Sequence, residues 1–294
     1  MSKAKEYDQL ELKDDFIFGK VMQNENICKE FLEHLLGIKI ESITYPERQK
    51  TLKITYDGKG VRLDLYVQDN HETIYDAEMQ QEGSKKDIEQ LPKRSRYYQG
   101  MIDLNLLEQG GSYQQLNESC IIFICTFDSF GRGLYEYTFE SICKEDNSLT
   151  LNDGVKRIFF NTKGTKGEIS EQAKAILDYI DRSTTEDVFT KELDNEVRKV
   201  RNNEGWRREY MKTLLHEQEI REEGREEGMR QGIQQGMQQG VQQGLQQGLQ
   251  SGQAKQIIKI SMEYNVETEK IVSKLITELN ISRKQATEYL EQFS

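Results

Sequence analysis

Two neighbouring stretches of the chain place acidic side chains inside segments that have the pattern of buried strands. They are VRLDLYV at residues 61–67 and TIYDAEMQ at residues 73–80, and they contain Asp64, Asp76 and Glu78. A buried carboxylate without a partner is so costly that it usually marks a metal, a partner molecule or a functional site. These two segments therefore restrict both the fold and the chemistry of the chain.

The alternation of apolar residues predicts how the two segments pair. Leu63 and Leu65 should lie on one face of the first strand and Asp64 on the other, because successive side chains point to opposite faces. Residues 68–71, QDNH, are turn formers, so the segments should form an antiparallel hairpin. Asp64 would then lie across from residues 76–80, and the hairpin would carry a cluster of carboxylates.

Oxygen ligands of this kind suit a hard cation. Mg²⁺ and Mn²⁺ are held by one or two carboxylates together with waters and phosphate oxygens, so the cluster indicates a metal site for phosphodiester hydrolysis. The alternative is that Asp64 lies at a solvated sheet edge and that Glu78 forms an ion pair with Arg62 or Arg94. The pattern of residues alone leaves both interpretations open.

A series of short motifs, taken in order, resembles a known nuclease family. Asp64, a turn and the run Glu78-Met79-Gln80 are similar to the PD-(D/E)XK nuclease core, in which one strand supplies an Asp and the next supplies (D/E)-x-K. More narrowly, the chain resembles the Rpn group of recombination-promoting nucleases, also called PD-(D/E)XK family transposases. The matching stretches, from about residue 8 to residue 165, are DDFIFGKVM from Asp14, VRLDLYV, YDAEMQ, LPKRSRYYQGMID from Leu91, GGSYQQL from Gly110 and IIFICTFDSF from Ile121.

The resemblance implies an α/β fold with a metal-dependent active site. The expected fold is a PD-(D/E)XK, restriction-endonuclease-like core, a mixed sheet flanked by helices, followed by a helical C-terminal extension. Asp64 and Glu78 would bind the metal, with the Met79 carbonyl as a further ligand. Gln80 would orient the attacking water, and Asp15 would assist through the metal or a water. The alternative for Asp15 is a simple helix N-cap.

Gln80 stands where the wider nuclease superfamily usually has Lys. A Lys can act as a charged acid/base or water-orienting group, whereas a neutral amide orients water or phosphate only through hydrogen bonds. Gln at this position is itself part of the Rpn pattern. The residues expected to bind the DNA substrate are Lys93, Arg94 and Arg96, which follow the hairpin.

The charge and composition of the chain exclude several classes of protein. A formal net charge of −11 at pH 7 argues against a chain that coats nucleic acid over its whole surface. The N-terminus is too charged for a signal peptide, and no apolar run approaches the roughly 18 residues of a membrane helix. The Cys residues form no C-x-x-C pair and the His residues are far apart, which argues against a zinc site. We therefore expect a protein of the reducing cytoplasm that has no membrane partner.

The resemblance implies that residues 1–167 form the PD-(D/E)XK nuclease-like domain, and the helical, charged pattern that follows predicts a charged helical region at residues 168–223. The first helix should begin at Asp14 or Asp15 and end at Gly37. The other predicted elements of the first domain are a helix at residues 86–107 and strands at residues 40–56, 121–127, 134–139 and 155–160.

Glycine recurs at every fourth position from Gly224 to Gly252, eight times in all, and an apolar residue follows most of these glycines. Glycine in a helix costs about 1 kcal/mol relative to Ala, so eight would disfavour an isolated helix by roughly 8 kcal/mol. Small residues four positions apart let helices approach closely, so we expect a helix stabilised by homo-oligomerisation through residues 224–252. The alternative is a flexible linker rich in Gly and Gln.

Residues 253–294 have the pattern of a small helical module with three amphipathic segments. Together these features lead to the hypothesis of a Mg²⁺-dependent DNA endonuclease, with Mn²⁺ as the other metal, acting in recombination, transposition or defence against foreign DNA. Two alternatives remain open. One is a catalytically weak relative that binds DNA without cutting it, and the other is an oligomerising interaction protein.

Overall fold

The computed structural model describes residues 5–45, 51–52, 61–81, 85–107 and 111–294. The chain divides into two compact units, Met1–Leu214 and Leu215–Ser294. The strands are β1 (Ile43–Thr44), β2 (Thr51–Leu52), β3 (Val61–Arg62), β4 (Leu65–Asp69), β5 (Ile74–Gln80), β6 (Ser119–Cys125), β7 (Glu136–Phe139) and β8 (Val155–Asn161). The helices are α1 (Asp15–Val21), α2 (Glu25–Leu36), α3 (Lys85–Leu106), α4 (Glu171–Arg182), α5 (Val188–Arg201), α6 (Glu204–Glu263), α7 (Thr268–Leu279) and α8 (Arg283–Phe293).

Six strands form a mixed sheet in the order β1-β4-β5-β6-β8-β7, and β2 pairs with β3 separately. Strands β5, β6 and β8 run parallel to one another, whereas β4 and β7 pair antiparallel with their neighbours. Every residue of the central strand β6 is buried, as its continuous apolar run predicts. The predicted architecture, a mixed sheet flanked by helices and followed by a helical part, is confirmed.

The sheet separates two apolar cores. One face packs against α1, α2, α4 and α5 and forms the α1-side core, and the other packs against α3 and forms the α3-side core. In β5, Ala77 and Met79 belong to the α1-side core, while Ile74 belongs to the α3-side core. Asp76 and Glu78 share the face of Ile74, because side chains alternate along a strand. Both acids are therefore buried on the side of α3.

The first acidic segment is interrupted at Asp64. Strand β3 ends at Arg62, β4 begins at Leu65, and Asp64 lies in a bend between them. Leu63 belongs to the α3-side core, whereas Leu65 belongs to the α1-side core. The prediction that Leu63 and Leu65 share one face is wrong, because the bend at Asp64 shifts the alternation by one residue.

The N-terminal helical segment is two helices rather than the single helix that the periodicity predicts. Helix α1 ends at Val21, and α2 begins at Glu25 with Asn24 as its N-cap, whose side chain accepts a hydrogen bond from the N–H of Ile27. The break occurs there because an Asn side chain satisfies an N–H group at the start of a new helix. Gly37 ends α2 as predicted, with a φ of +66° in the left-handed region.

The other predicted elements of the first unit have mixed outcomes. Helix α3 and strands β6, β7 and β8 confirm the predicted helix and the three later strands. Of the strand predicted at residues 40–56, the structure contains β1, which is two residues long, and β2. Residues 40–42 and residue 45 are not in a strand, so that part of the prediction is wrong, and residues 46–50 and 53–56 lie outside the described residues.

The first compact unit extends well past residue 167. Helices α4 and α5 bury apolar side chains, among them Ile176 and Leu193, in the α1-side core. The hydroxyl of Tyr7 donates a hydrogen bond to the carbonyl oxygen of Val200 across 2.7 Å. A domain boundary at residue 167 therefore falls inside this unit, because the amphipathic faces of α4 and α5 complete the same core.

The predicted helix is present over the whole glycine repeat. Helix α6 is 60 residues long, and its side chains from position 221 to position 249 are exposed. A Cβ added at any of the repeat glycines would meet no atom within 4 Å. None of the helices in the described part of the chain combines the length and the apolarity needed to cross a membrane. Homo-oligomerisation through the repeat stays a prediction.

The end of α6 packs with α7 and α8 around a small apolar core of the second unit. Ile258 from α6, Leu275 from α7 and Leu290 from α8 are buried there. Ser282 is the N-cap of α8 and forms a capping box with Gln285. The three amphipathic segments predicted within residues 253–294 correspond to these three helices.

Candidate active site

Asp64 and Glu78 hold each other in place. The N–H of Asp64 donates to Oε1 of Glu78 across 3.0 Å, and the N–H of Met79 donates to Oδ2 of Asp64 across 3.2 Å. Strands β4 and β5 form the predicted antiparallel hairpin, and the register that pairs Leu65 with Ala77 carries Asp64 to a position across from Glu78. The hairpin therefore brings together two acids that are 14 positions apart in the chain.

Arg94 reaches this pair of acids from α3. Its Nη2 lies 3.7 Å from Oε2 of Glu78 and donates to the hydroxyl of Tyr98 across 2.8 Å. Its Nη1 donates to Oε1 of Gln80 across 2.7 Å. Arg94 and Tyr98 are four residues apart and share one face of α3, which aims both side chains at the end of β5. The ion pair between Glu78 and Arg94, one of the two alternatives that the sequence leaves open, is present.

The side-chain amide of Gln80 connects Arg94 to the backbone of β5. Its Oε1 accepts from Arg94, and its Nε2 donates to the carbonyl oxygen of Met79 across 2.8 Å. A Lys at this position could donate to the carbonyl but would offer Arg94 no acceptor. The surroundings of residue 80 therefore favour an amide over an amine. The Met79 carbonyl, a predicted metal ligand, accepts a hydrogen bond from Gln80 in this arrangement.

Burial and mutual repulsion raise the pKa values of the two buried acids on β5, Asp76 and Glu78. Glu78 is 2% exposed, and its burial, followed by the charges of Asp76 and Asp64, raises its pKa well above the usual range. Burial and then the charge of Asp64 likewise raise the pKa of Asp76. Arg94 opposes both shifts and offsets only part of them. Such an environment favours the binding of a further positive charge.

Asp76 is a buried acid for which the family motif, which takes Glu78 from this strand, implies no role. It is 0% exposed, and neither of its carboxylate oxygens has a hydrogen-bond partner among the residues that the structure describes. The sequence does contain a signal for it, because Asp76 shares a strand face with Glu78 two residues away. What the alternation does not reveal is that the carboxylate meets no N–H or hydroxyl donor in the described ranges.

Helix α1 approaches the acids through Gly19. A Cβ on Gly19 would lie 3.6 Å from the carbonyl oxygen of Asp64, an ordinary van der Waals distance, so this side of α1 packs beside the bend. Asp15, the first residue of α1, is exposed and lies one turn before Gly19 on the same side of the helix. The N-cap residue is Asp14. The interpretation of Asp15 as a simple N-cap is therefore wrong, and α1 brings Asp15 to the side of the helix that faces Asp64.

The side chain of Gln81 ties the start of α1 to the end of β5. Its Nε2 donates to the carbonyl oxygen of Lys13 across 3.0 Å and to Oδ1 of Asp14 across 2.9 Å. The two contacts span separations of 68 and 67 positions along the chain. They hold Asp15, which follows Asp14, near the strand end that carries Gln80.

The three predicted substrate-binding residues do not form one cluster. Arg94 contacts the acids, whereas Lys93 and Arg96 are exposed. Arg96 is two residues beyond Arg94 and lies about 200° around the helix from it, so it points away from Glu78. Lys93 is about 100° from Arg94. Only Arg94 is thus placed to act on a group bound at Glu78, and the other two face solvent.

The donor atoms at this position suit a hard cation. In the described ranges, no three Asp, Glu, His or Cys side chains form a complete metal-binding group. The oxygen donors present are the carboxylates of Asp64, Asp76 and Glu78 and the carbonyl of Met79, which is the chemistry that Mg²⁺ and Mn²⁺ prefer. The unpartnered oxygens of Asp76 lie within this set. The residues therefore fit a divalent cation by their chemistry, and Asp64 and Glu78 would exchange backbone hydrogen bonds for it.

Comparison with known proteins identifies one family. The model of the PD-(D/E)XK nuclease family transposase matches residues 13–230, a stretch that includes the acidic hairpin, α3 and the first part of the glycine repeat. No curated protein and no solved structure gives a significant match to the chain. The match spans well over half of the chain and agrees with the mixed sheet and the acids on β5 and at the bend before β4. The chain belongs to the family of PD-(D/E)XK nuclease family transposases.

Proposed function

We propose that the chain is a metal-dependent DNA endonuclease that hydrolyses phosphodiester bonds. Its family is one of nucleases, which are hydrolases acting on nucleic acids. The observation that carries the proposal is the contact between Asp64 and Glu78, with Arg94 lying 3.7 Å from Glu78. Two carboxylates beside a guanidinium can bind a cation and a phosphate next to each other.

The cation in this proposal is Mg²⁺ or Mn²⁺, held by the carboxylates of Asp64 and Glu78. The Met79 carbonyl is a further ligand if the Gln80 amide turns away from it. The metal, when bound, supplies a water of lowered pKa and stabilises the charge that develops on the phosphate. Both contributions are those that phosphodiester hydrolysis needs at neutral pH.

The remaining side chains act on the water and the phosphate. Gln80 orients the attacking water, since an amide offers one acceptor and a pair of donor hydrogens. Arg94 offsets phosphate charge, because its side chain is 34% exposed and so reaches both Glu78 and the solvent from which DNA approaches. Asp15 assists from α1 by holding a water on the side of Asp64.

DNA is the proposed substrate, and its backbone is contacted by exposed residues of α3. Lys93 and Arg96 would bind phosphates away from the position of cleavage, which fixes orientation without reading sequence. With a net charge of −11, the chain depends on such local positive groups, and its DNA affinity should fall steeply with salt. The biological role that this activity serves is recombination, transposition or defence against foreign DNA in the cytoplasm.

A second proposal concerns the glycine repeat of α6. Residues 231–254 contain no charged residue, and apolar side chains such as Met237, 72% exposed, and Leu245, 65% exposed, lie in the open. A helix that stays in solvent ordinarily carries charged side chains around its surface. We infer that residues 224–252 pack against the same residues of a second chain, because the glycines allow a close approach that offsets their poor helix propensity.

The direct test of the nuclease is incubation of the purified chain with supercoiled and linear DNA in EDTA, Ca²⁺, Mg²⁺ and Mn²⁺. The proposal predicts nicked or linearised circles in Mg²⁺ or Mn²⁺ and intact DNA in EDTA. Cutting of closed circles distinguishes an endonuclease from an enzyme that needs DNA ends. Equal cleavage in EDTA would refute metal dependence. DNA binding without cleavage in any metal would favour the catalytically weak alternative, and self-association without DNA binding would favour the interaction protein.

A further inference from the structure

The carboxylate of Asp76 has no explanation in the mechanism described so far. It lies in the middle of β5, is 0% exposed, and has no hydrogen-bond partner on either oxygen within the described part of the chain. A buried carboxylate normally has donors or an opposite charge in contact with it, because losing its hydration is costly. A residue with this environment is a candidate for ligand binding.

The groups around Asp76 increase its need for a positive partner. The charge of Asp64 disfavours the ionised form of Asp76, and the charge of Asp76 in turn disfavours the ionised form of Glu78. Arg94 is the positive group that acts on Asp76, but its guanidinium is already engaged by Gln80 and by the Tyr98 hydroxyl. The guanidinium of Arg94 is therefore not free to neutralise Asp76 fully.

The other two acids are partly satisfied, whereas Asp76 is not. Oε1 of Glu78 accepts the N–H of Asp64, and Oδ2 of Asp64 accepts the N–H of Met79. The oxygens of Asp76 accept no hydrogen bond from an N–H or hydroxyl donor of the described residues, and the polar group beside them is the Glu78 carboxyl, which can share a hydrogen bond with Asp76 only when one of the two acids is protonated. Since Asp76 and Glu78 lie on the same face of β5 two residues apart, their carboxyl groups are neighbours. A cation bound at Glu78 would therefore also be close to Asp76.

We propose that Asp76 is a third carboxylate ligand of the cation that Asp64 and Glu78 bind. In the metal-free arrangement of the described residues these three side chains do not form a group that could hold an ion, so binding must draw their carboxylates together. The inference rests on the proposed metal-dependent function and adds to it an acid that the family motif does not include. Asp76 would contribute a carboxylate oxygen that is fully buried, whereas Asp64 is partly exposed. The cation in turn supplies the positive charge that Asp76 lacks in the protein.

The competing explanation is that Asp76 is a neutral carboxylic acid with a structural role. Asp76→Asn separates the two, because asparagine has the shape of the protonated acid but offers no negatively charged oxygen. A structural acid would leave the metal affinity of Asp76→Asn unchanged, whereas a ligand would make it weaker.

The test is the binding of Mn²⁺ to the full-length chain without DNA, measured by isothermal titration calorimetry. We expect Asp76→Asn to raise the dissociation constant about tenfold or more, and Glu78→Gln to do the same. The matched control is Asp103→Asn, since Asp103 is also a partly buried acid but is hydrogen-bonded to Gln99 on α3. The rise in unfolding temperature on adding Mn²⁺ gives a second measure of affinity, and melting in EDTA shows that each variant is folded.

The outcomes separate this inference from the proposed function. Wild-type affinity in Asp76→Asn together with weakened binding in Glu78→Gln would overturn the assignment of Asp76 and leave the metal site standing. Absence of Mn²⁺ binding by the wild-type chain would overturn both. If Asp76→Asn does not fold, a crystal structure of the wild-type chain with Mn²⁺ decides. An Asp76 oxygen at about 2.1 Å from the ion supports the inference, and a bound ion out of contact with Asp76 overturns it.

Discussion

Nη1 of Arg94 donates a hydrogen bond to Oε1 of Gln80 across 2.7 Å, from helix α3 to the last residue of β5. Gln80 is the residue at which the chain differs from the Lys of the wider superfamily. Because its amide also donates to the Met79 carbonyl, the orientation of Gln80 depends on α3 as well as on its own strand. The contact links the group that orients water in the proposed mechanism to the group that offsets phosphate charge.

Gln80→Lys should lower the unfolding temperature and slow DNA cleavage. The substitution removes the acceptor for Arg94 and places a second cation beside it, and a lost contact of this kind costs about 1–3 kcal/mol. Adding Arg94→Gln should restore part of the stability, because the two side chains then exchange roles. Chemical denaturation of both single variants and the double variant measures the coupling. Strictly additive effects would contradict an energetic link between the two residues.

Asp64→Asn and Glu78→Gln should each abolish metal-dependent cleavage while leaving the unfolding temperature of the chain in EDTA unchanged or higher. The activity depends on both carboxylates as metal ligands, whereas removing one negative charge relieves repulsion within the acidic group. Plasmid nicking and thermal melting measure the two effects. Asp146→Asn, in an exposed turn, is the control for removal of a carboxylate. Cleavage retained by both variants would disprove the active-site assignment.

Asp128 should make the free energy of unfolding depend on pH. Burial acts to raise the pKa of this carboxyl, but hydrogen bonds from the Tyr137 hydroxyl and from the N–H groups of Gly133, Phe130 and Gly131 outweigh it, and the pKa is lowered. A lowered pKa stabilises the folded chain above the unfolded value of about 3.9, and this stabilisation is lost as the pH falls through the lower folded value.

Asp128→Asn should therefore reduce stability at pH 7 by about 1–3 kcal/mol, since the backbone donors then face a neutral acceptor. The difference from the wild-type chain should shrink below roughly pH 5, where the wild-type carboxylate is progressively protonated. Urea denaturation at a series of pH values measures it. A difference that stays constant down to pH 2 would show that the ionised form of Asp128 adds nothing.

A chain that ends at residue 214 should fold cooperatively, whereas a chain that ends at residue 167 should not. The shorter chain loses α4 and α5, and burying each large apolar side chain such as Ile176 or Leu193 contributes about 1.5–3 kcal/mol. Circular dichroism and thermal melting compare the two shortened chains. A sharp melting transition for residues 1–167 would contradict the single core of the first unit.

Replacing Gly232, Gly236, Gly240 and Gly244 with Leu should raise the intrinsic helix propensity by up to about 1 kcal/mol per position yet weaken self-association. The added side chains would hold neighbouring helices apart. Light scattering measures the mass and circular dichroism the helix content. Four Gln→Leu changes at positions 234, 238, 242 and 246, about 200° around the helix from the glycines, are the matched control. A wild-type chain that is monomeric at micromolar concentration would end the oligomerisation proposal.

The sequence by itself determined those features that follow from the periodicity of a single strand or helix. The alternation in β5 predicted that Asp76 and Glu78 share a face, and this face is buried against α3. The apolar run of β6 predicted a central strand, and the placement of apolar residues in the repeat predicted a helix. These predictions succeed because the burial of a residue within one element follows from the geometry of that element alone.

Only the tertiary structure decided which groups meet across elements. The chain bends at Asp64, between β3 and β4. Because of this bend, Leu63 packs in the α3-side core and Leu65 packs in the α1-side core. Gln81 bonds Lys13 from 68 positions away, a contact that no local periodicity encodes. The lack of an N–H or hydroxyl donor for Asp76 among the described residues is likewise a property of the elements folded over it. Periodicity states that a side chain is buried, but the hydrogen-bond partners that make its burial cheap or costly are supplied by chain segments distant in sequence.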